Sequence, residues 1–78
     1  MKTYEFTIVL KAQELTLEQC DALYEAGCDD GTIVTRNRTT QIAFDRQSDS
    51  LEEAIRSASE NVRQAGFEIE RVQMDALV

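Results

Sequence analysis

Six segments with two different hydrophobic periods follow one another in this chain, and their order is the strongest constraint on its fold. Over residues 3–11 apolar and polar residues alternate, which is the period-two pattern of a half-buried strand. Three later segments also have strand character, and two have the 3.6-residue period of an amphipathic helix. The predicted order is therefore βαββαβ, with the later strands at 32–36, 40–46 and 67–74.

Both predicted helices begin with a capping signal. Thr16 is followed three residues later by Gln19, which is the spacing of a capping box, and Ser50 with Glu53 repeats it. Glycines suit the position after a helix end because they adopt the left-handed conformation that is common there. The glycines that we expect to close the two helices are Gly27 and Gly66.

Right-handed crossovers in the order βαββαβ place both helices on one face of a four-stranded antiparallel sheet. The expected fold is α+β, a ferredoxin-like two-layer sandwich in which the first and third strands are central. The first helix is expected to present one apolar face, made by Leu17, Cys20, Leu23 and Tyr24. The predicted core comprises Phe6, Ile8, Leu10, Leu17, Leu23, Ile33, Ile42, Phe44, Leu51, Ile55, Ala58, Val62, Phe67 and Ile69.

The length and the spacing of the segments indicate a single domain over residues 1–78. A short hairpin is expected at 37–39. In the fourth strand the step from Ile69 to Val72 breaks the alternation, which predicts a bulge or a loss of register near Arg71. On the sheet face without helices we expect Glu5, Thr7, Val9, Gln41, Ala43, Asp45, Glu68 and Glu70.

Charge and residue types argue against several classes of function. Fifteen acidic and eight basic residues give a net charge of −7, which attracts neither nucleic acid nor an anionic membrane surface. The chain has no His and no Cys-x-x-Cys pair, so we expect no catalytic residue, no metal site and no cofactor. We therefore predict that this chain is not an enzyme.

The two cysteines are expected to be free. Cys20 and Cys28 are eight residues apart, which is a rise of about 12 Å in a helix, whereas a disulfide needs Cα atoms within about 7 Å. Cys28 also follows a helix C-terminus, whose negative dipole end disfavours a thiolate. Reduced cysteines, with no secretory or membrane-spanning segment, lead us to expect a cytoplasmic protein.

A block of acidic residues without any base lies between Lys11 and Arg36. Part of it falls on one face of the first predicted helix, where like charges destabilise the helix by roughly 0.2–0.5 kcal/mol per pair. The hypothesis is a docking surface for a basic protein, and the alternative is a solvated helix in an acidic chain. The residues predicted to bind this partner are Glu18, Asp21, Glu25, Asp29 and Asp30.

Four stretches of the chain, at 4–10 (YEFTIVL), 23–30 (LYEAGCDD), 50–55 (SLEEAI) and 64–72 (QAGFEIERV), resemble small bacterial proteins of the antitoxin-like or regulator class. In those proteins a similar domain is often followed by a helix-turn-helix segment. The present sequence stops at Val78, where that segment would begin, so DNA binding is not carried over. The resemblance implies a regulatory role and supplies no site residue.

Two classes of function remain open. The first is a non-enzymatic interaction or regulatory module, antitoxin-like, that binds a partner protein through the acidic helix. The alternative is a small-ligand sensor that works as a dimer and binds an amino acid at the helix–strand junctions. Unpaired edge strands and the apolar tail at 76–78 also predict a weak or moderate homodimer.

Overall fold

The computed structural model describes residues 2–11 and 14–74, and it has the predicted order of elements. The strands form one antiparallel sheet in the order β2-β3-β1-β4, so the first and third strands are central, as expected. The predicted apolar tail at 76–78 lies outside the described residues. The elements are β1 (Lys2–Leu10), α1 (Leu17–Glu25), β2 (Gly31–Arg36), β3 (Thr39–Ser48), α2 (Leu51–Gln64) and β4 (Ile69–Met74).

Both helices cover the same face of the sheet. The stacked rings of Phe6 and Phe44, whose centroids are 5.4 Å apart, join the two central strands at the centre of this face. The helices contribute side chains to the same cluster, which confirms the predicted two-layer α+β arrangement. The buried core comprises Phe6, Ile8, Leu10, Leu23, Cys28, Ile42, Phe44, Ala54, Ala58 and Val62.

One predicted core residue, Leu17, lies outside this core. It is 80% exposed, whereas all the others are in the core or pack against it. The rotation of α1 is the reason, because Leu23 points inward and a residue six positions earlier lies about 120° away around the helix axis. Tyr24, which was expected on the same apolar face, is 43% exposed.

The predicted hairpin and bulge are both confirmed. Asn37 and Arg38 join β2 to β3 with φ of 52° and 63°, the positive values of a two-residue type I′ turn. In the pairing of β1 with β4, Val9 is opposite Arg71 and Leu10 is opposite Ile69. The residue between Ile69 and Arg71 is therefore the extra one, and the alternation in β4 changes phase there.

That bulge corrects the predicted composition of the face without helices. Glu68 precedes β4 and Glu70 is the bulged residue, so the β4 side chains in register beside Thr7 and Val9 are Gln73 and Arg71. Thr7 and Val9 are buried although no helix covers them. Their strand is central, with β3 on one side and β4 on the other.

Candidate functional site

Short-range contacts fix both ends of α1. At its start the predicted capping box is present, since the Gln19 N–H donates to Thr16 Oγ1 at 3.1 Å and the Thr16 N–H donates to Gln19 Oε1 at 2.8 Å. After its end the chain reverses at Gly27, which has φ of +117°. A Cβ at this position would lie 2.9 Å from the Asn61 side chain, so a larger residue would have to displace the Asn61 amide in addition to adopting this positive φ.

The outward face of α1 combines carboxylates with large apolar side chains. Leu23 is the buried residue of the helix, and the predicted partner-binding acids on α1 are all exposed. With 100° between successive helical residues, the three acids span an arc of about 60°, and the two exposed apolar residues lie beside it. We call this surface the acidic α1 face; it comprises Leu17, Glu18, Asp21, Tyr24 and Glu25.

The two aspartates that follow α1 have different surroundings. Asp29 is exposed in the turn between α1 and β2. Asp30 is half-buried, and both of its carboxylate oxygens accept hydrogen bonds from Arg46. The structure thus exposes the α1 acids and Asp29 and engages Asp30 in an internal ion pair.

Arg46 uses all of its side-chain donors inside the protein. Its Nε–H donates to Asp30 Oδ2 at 2.8 Å, and Nη2 donates to Asp30 Oδ1 at 2.9 Å and to the Gly27 carbonyl oxygen at 2.8 Å. Nη1 donates to Ser57 Oγ and to Asn61 Oδ1, both at 3.0 Å. Five donors therefore meet five acceptors, and this Arg46 cluster joins β3, the end of α1, the start of β2 and α2.

The surroundings of Arg46 favour its charged form. Its guanidinium carbon lies 5.2 Å from the centroid of the Phe44 ring, within the range of a cation–π contact. The hydrogen bond with Asp30 raises the pKa of Arg46 above its already high value, and burial opposes this. Residue parity in β3 could have predicted the inward direction, because Arg46 is two residues after the core residue Phe44.

An open cleft of about 540 Å³ adjoins the Arg46 cluster. It lies where the end of α1 meets the sheet, which is the helix–strand junction that the ligand-sensor alternative requires. Asp29 and Asp45 contribute exposed carboxylates to it. The complete lining is Thr3, Gly27, Asp29, Asp30, Asp45, Arg46, Gln47 and Asn61.

Both cysteines are free, as the sequence predicts. Cys28 is fully buried, and burial raises the pKa of its thiol to about 11, with the positive charge of Arg46 opposing the shift. Desolvation is thus the main reason why this thiol is a poor nucleophile. Across residues 2–11 and 14–74 there is no cluster of three or more Cys, Asp or Glu residues placed to hold a metal ion.

Comparisons with protein-family models, with curated proteins and with solved structures found no match to this chain. Within its described residues, no helix has the length and apolarity to cross a membrane.

Proposed function

We propose that this chain is a non-enzymatic protein-interaction module with a regulatory role, and that it binds a basic partner protein through the acidic α1 face. The observation that carries the proposal is the exposure of Leu17 and Tyr24 beside three carboxylates on one short helix. The regulatory and antitoxin-like parts of the proposal rest on the resemblance of the sequence to small bacterial regulators. Its free cysteines suit the reducing bacterial cytoplasm, which we propose as its compartment.

An apolar centre surrounded by a polar rim is typical of a protein interface. Leu17 and Tyr24 are 80% and 43% exposed, and tyrosine is among the residues that contribute most to binding energy in such interfaces. A partner that covers both side chains would remove apolar surface from water. The apolar pair would thus supply affinity at the centre of the contact.

The surrounding acids define the charge of the partner. No base lies between Lys11 and Arg36, so nothing within this segment neutralises the carboxylates of the acidic α1 face. A basic surface would be attracted over a distance of about 8 Å at physiological ionic strength, which speeds its encounter with the module. Acids at the rim contribute mainly to the association rate and to specificity.

The open cleft beside the Arg46 cluster supports a second candidate, the small-ligand sensor. Its lining is polar and includes Asp29 and Asp45, which suit the ammonium group of an amino acid. The five donors of Arg46, however, are already bonded within the protein, so this guanidinium has no donor left for a ligand carboxylate. We therefore rank the sensor second.

The test first captures the partner from the native cell, with the chain as bait. It then measures the rates at which the partner associates with the chain and dissociates from it. The triple variant E18K/D21K/E25K should associate at least about tenfold more slowly at low salt, because it reverses the charge that steers the encounter. Leu17→Ala should instead raise the dissociation rate at every salt concentration, because it removes an apolar contact. Stopped-flow or surface-based kinetics at low and high salt measures both rates.

Three exposed acids outside α1 provide a matched control. The variant E5K/E60K/E68K changes the net charge by the same amount but leaves the acidic α1 face intact. Equal slowing by the two triple variants would show that only the net charge matters, and the proposed surface would then be wrong. Isothermal titration with free amino acids tests the sensor alternative, which predicts saturable heat that is lost on Asp29→Asn.

A further inference from the structure

Among the described residues, no strand pairs with the outer edge of β4. The Asp45 N–H donates to the Asp30 carbonyl, so odd-numbered residues of β3 bond toward β2 and even-numbered ones toward β1. The β1 residues opposite the even-numbered ones are Phe6 and Ile8, so Thr7 and Val9 bond toward β4. Their register partners Gln73 and Arg71 are therefore the β4 residues that bond inward. The N–H and C=O groups of Val72 and Met74 therefore point away from the sheet.

The side chains on this edge are also apolar and exposed. Val72 and Met74 lie on the helix side of the sheet, opposite Ile8 and Phe6, and they are 37% and 52% exposed. Together with Leu17 and Tyr24 of α1, they are the large apolar residues that the described part of the chain exposes. An exposed strand edge with apolar side chains is a template for the addition of another strand.

We propose that the partner at this edge is a second copy of the chain, paired antiparallel through β4 to give a continuous eight-stranded sheet. With the two-fold axis at Val72, this residue faces Val72 of the second copy, and Arg71 faces Gln73 of the second copy. The pairing joins two apolar side chains on the helix face and opposes no like charges at these positions.

The charge distribution is compatible with a second copy at this edge. The chain carries a net charge of −7, so two copies repel wherever acids meet. Within β4, Glu70 and Arg71 form an ion pair at 2.7 Å, and the strand is neutral. Pairing through β4 therefore brings together a neutral strip of each chain.

The topology also keeps the acidic α1 faces apart in such a dimer. β4 and β2 are opposite edges of the sheet, and α1 leads into β2 through the turn that ends at Gly31. In the dimer the two β2 edges are the outermost strands. Each acidic α1 face would remain accessible, so the dimer would present two binding surfaces at its two ends.

The test measures the mass of the full chain by sedimentation equilibrium between about 1 µM and 1 mM, the range of weak dimers. The average mass of the original chain should rise with concentration from the monomer mass of 8.8 kDa toward twice that value. Val72→Lys should raise the dissociation constant at least about tenfold, because it places two lysines opposite each other on an edge. Thr32→Lys, an equal charge change at an exposed site on β2, should leave the dimer unchanged.

Hydrogen exchange gives a second test that needs no variant. The outward amides of Val72 and Met74 should become protected as the concentration rises, whereas those of Ile33 and Thr35, which point outward from β2, should stay unprotected. A monomer mass throughout the range overturns the proposal. So does protection at Ile33 and Thr35 alone, or a greater loss of dimer with Thr32→Lys than with Val72→Lys. Partner binding through α1 can succeed or fail independently of these results.

Discussion

The two helices cover the same face of the sheet but are attached to it in different ways. α2 has fourteen residues, buries Ala54, Ala58, Ser59 and Val62, and contacts three strands. α1 has nine residues, of which only Leu23 is buried. Packing therefore holds α2, whereas α1 depends on one apolar anchor and on the contacts that follow its C-terminus.

The Arg46 cluster is the second attachment of α1. It holds the Gly27 carbonyl and the Asp30 carboxylate at one end of α1, and the same guanidinium reaches Ser57 and Asn61 on α2. A helix held by its end does not need a wide apolar face. The outward residues of α1 are thereby left exposed, which supports the proposed binding surface on this helix.

The largest expected effect separates the two leucines of α1. Leu23→Ala should lower the free energy of unfolding by about 2–5 kcal/mol, because it removes a fully buried side chain and leaves a cavity. Leu17→Ala should change it by less than about 0.5 kcal/mol, because Leu17 is 80% exposed. Urea unfolding followed by circular dichroism measures both values. Equal losses for the two variants would contradict the observed rotation of α1.

A slightly smaller effect is expected from removal of the polar attachment. Arg46→Ala deletes five hydrogen bonds and leaves the carboxylate of Asp30 without its cation, so a loss of about 2–4 kcal/mol is expected. In this variant the rate of hydrogen exchange should increase more in α1 than in α2, since α2 keeps its apolar packing. Arg46→Lys is the matched control, which keeps the charge but not the planar fork of donors.

If Arg46→Ala has the stability of the original chain, or if it loosens both helices equally, the distinction between the two attachments is wrong. The stability of Arg46→Lys should lie between that of the original chain and that of Arg46→Ala, because an ammonium group satisfies fewer of the five acceptors.

The two cysteines sharpen the comparison at the level of single atoms. The raised pKa of Cys28, about 11 against an ordinary value of 9.0, leaves about 100-fold fewer thiolates at pH 8, and burial restricts access further. The half-buried Cys20 should therefore react first with an alkylating reagent, followed at a far slower rate by Cys28. Mass spectrometry of the labelled peptides measures the two rates, and unfolding in urea should release two reactive thiols per chain.

The same pKa shift predicts an effect of pH on stability. The folded state keeps the Cys28 thiol neutral up to a higher pH than the unfolded chain does. The contribution of this shift to the free energy of unfolding is therefore complete below pH 9. It is lost as the pH rises from 9 to about 11, because the unfolded chain ionises first. Cys28→Ser should weaken this alkaline loss. Similar labelling rates for Cys20 and Cys28 at pH 8 would show that the segment between α1 and β2, which contains Cys28, opens more readily than its contacts imply.

The elements of the fold were predictable because they depend on local patterns. Alternation in β1, the capping box of Thr16 and Gln19, and the broken phase of β4 each act over a few residues, and the structure confirms all three. The acids on α1 were predictable as exposed residues for the same reason. The buried state of Cys28 was missed, because its burial follows from the path of the chain after Gly27 and has no periodic signal.

The sequence by itself determined the order of the elements, the sheet topology that follows from it and the acidity of α1, since periodicity, caps and charge are properties of neighbouring residues. Only the tertiary structure decided which side of α1 faces the core, and with it the exposure of Leu17. It also decided that Asp30 pairs with Arg46, sixteen residues away, instead of joining the surface acids. Both outcomes depend on the distance between elements that are remote in the chain, and a hydrophobic period carries no record of that distance.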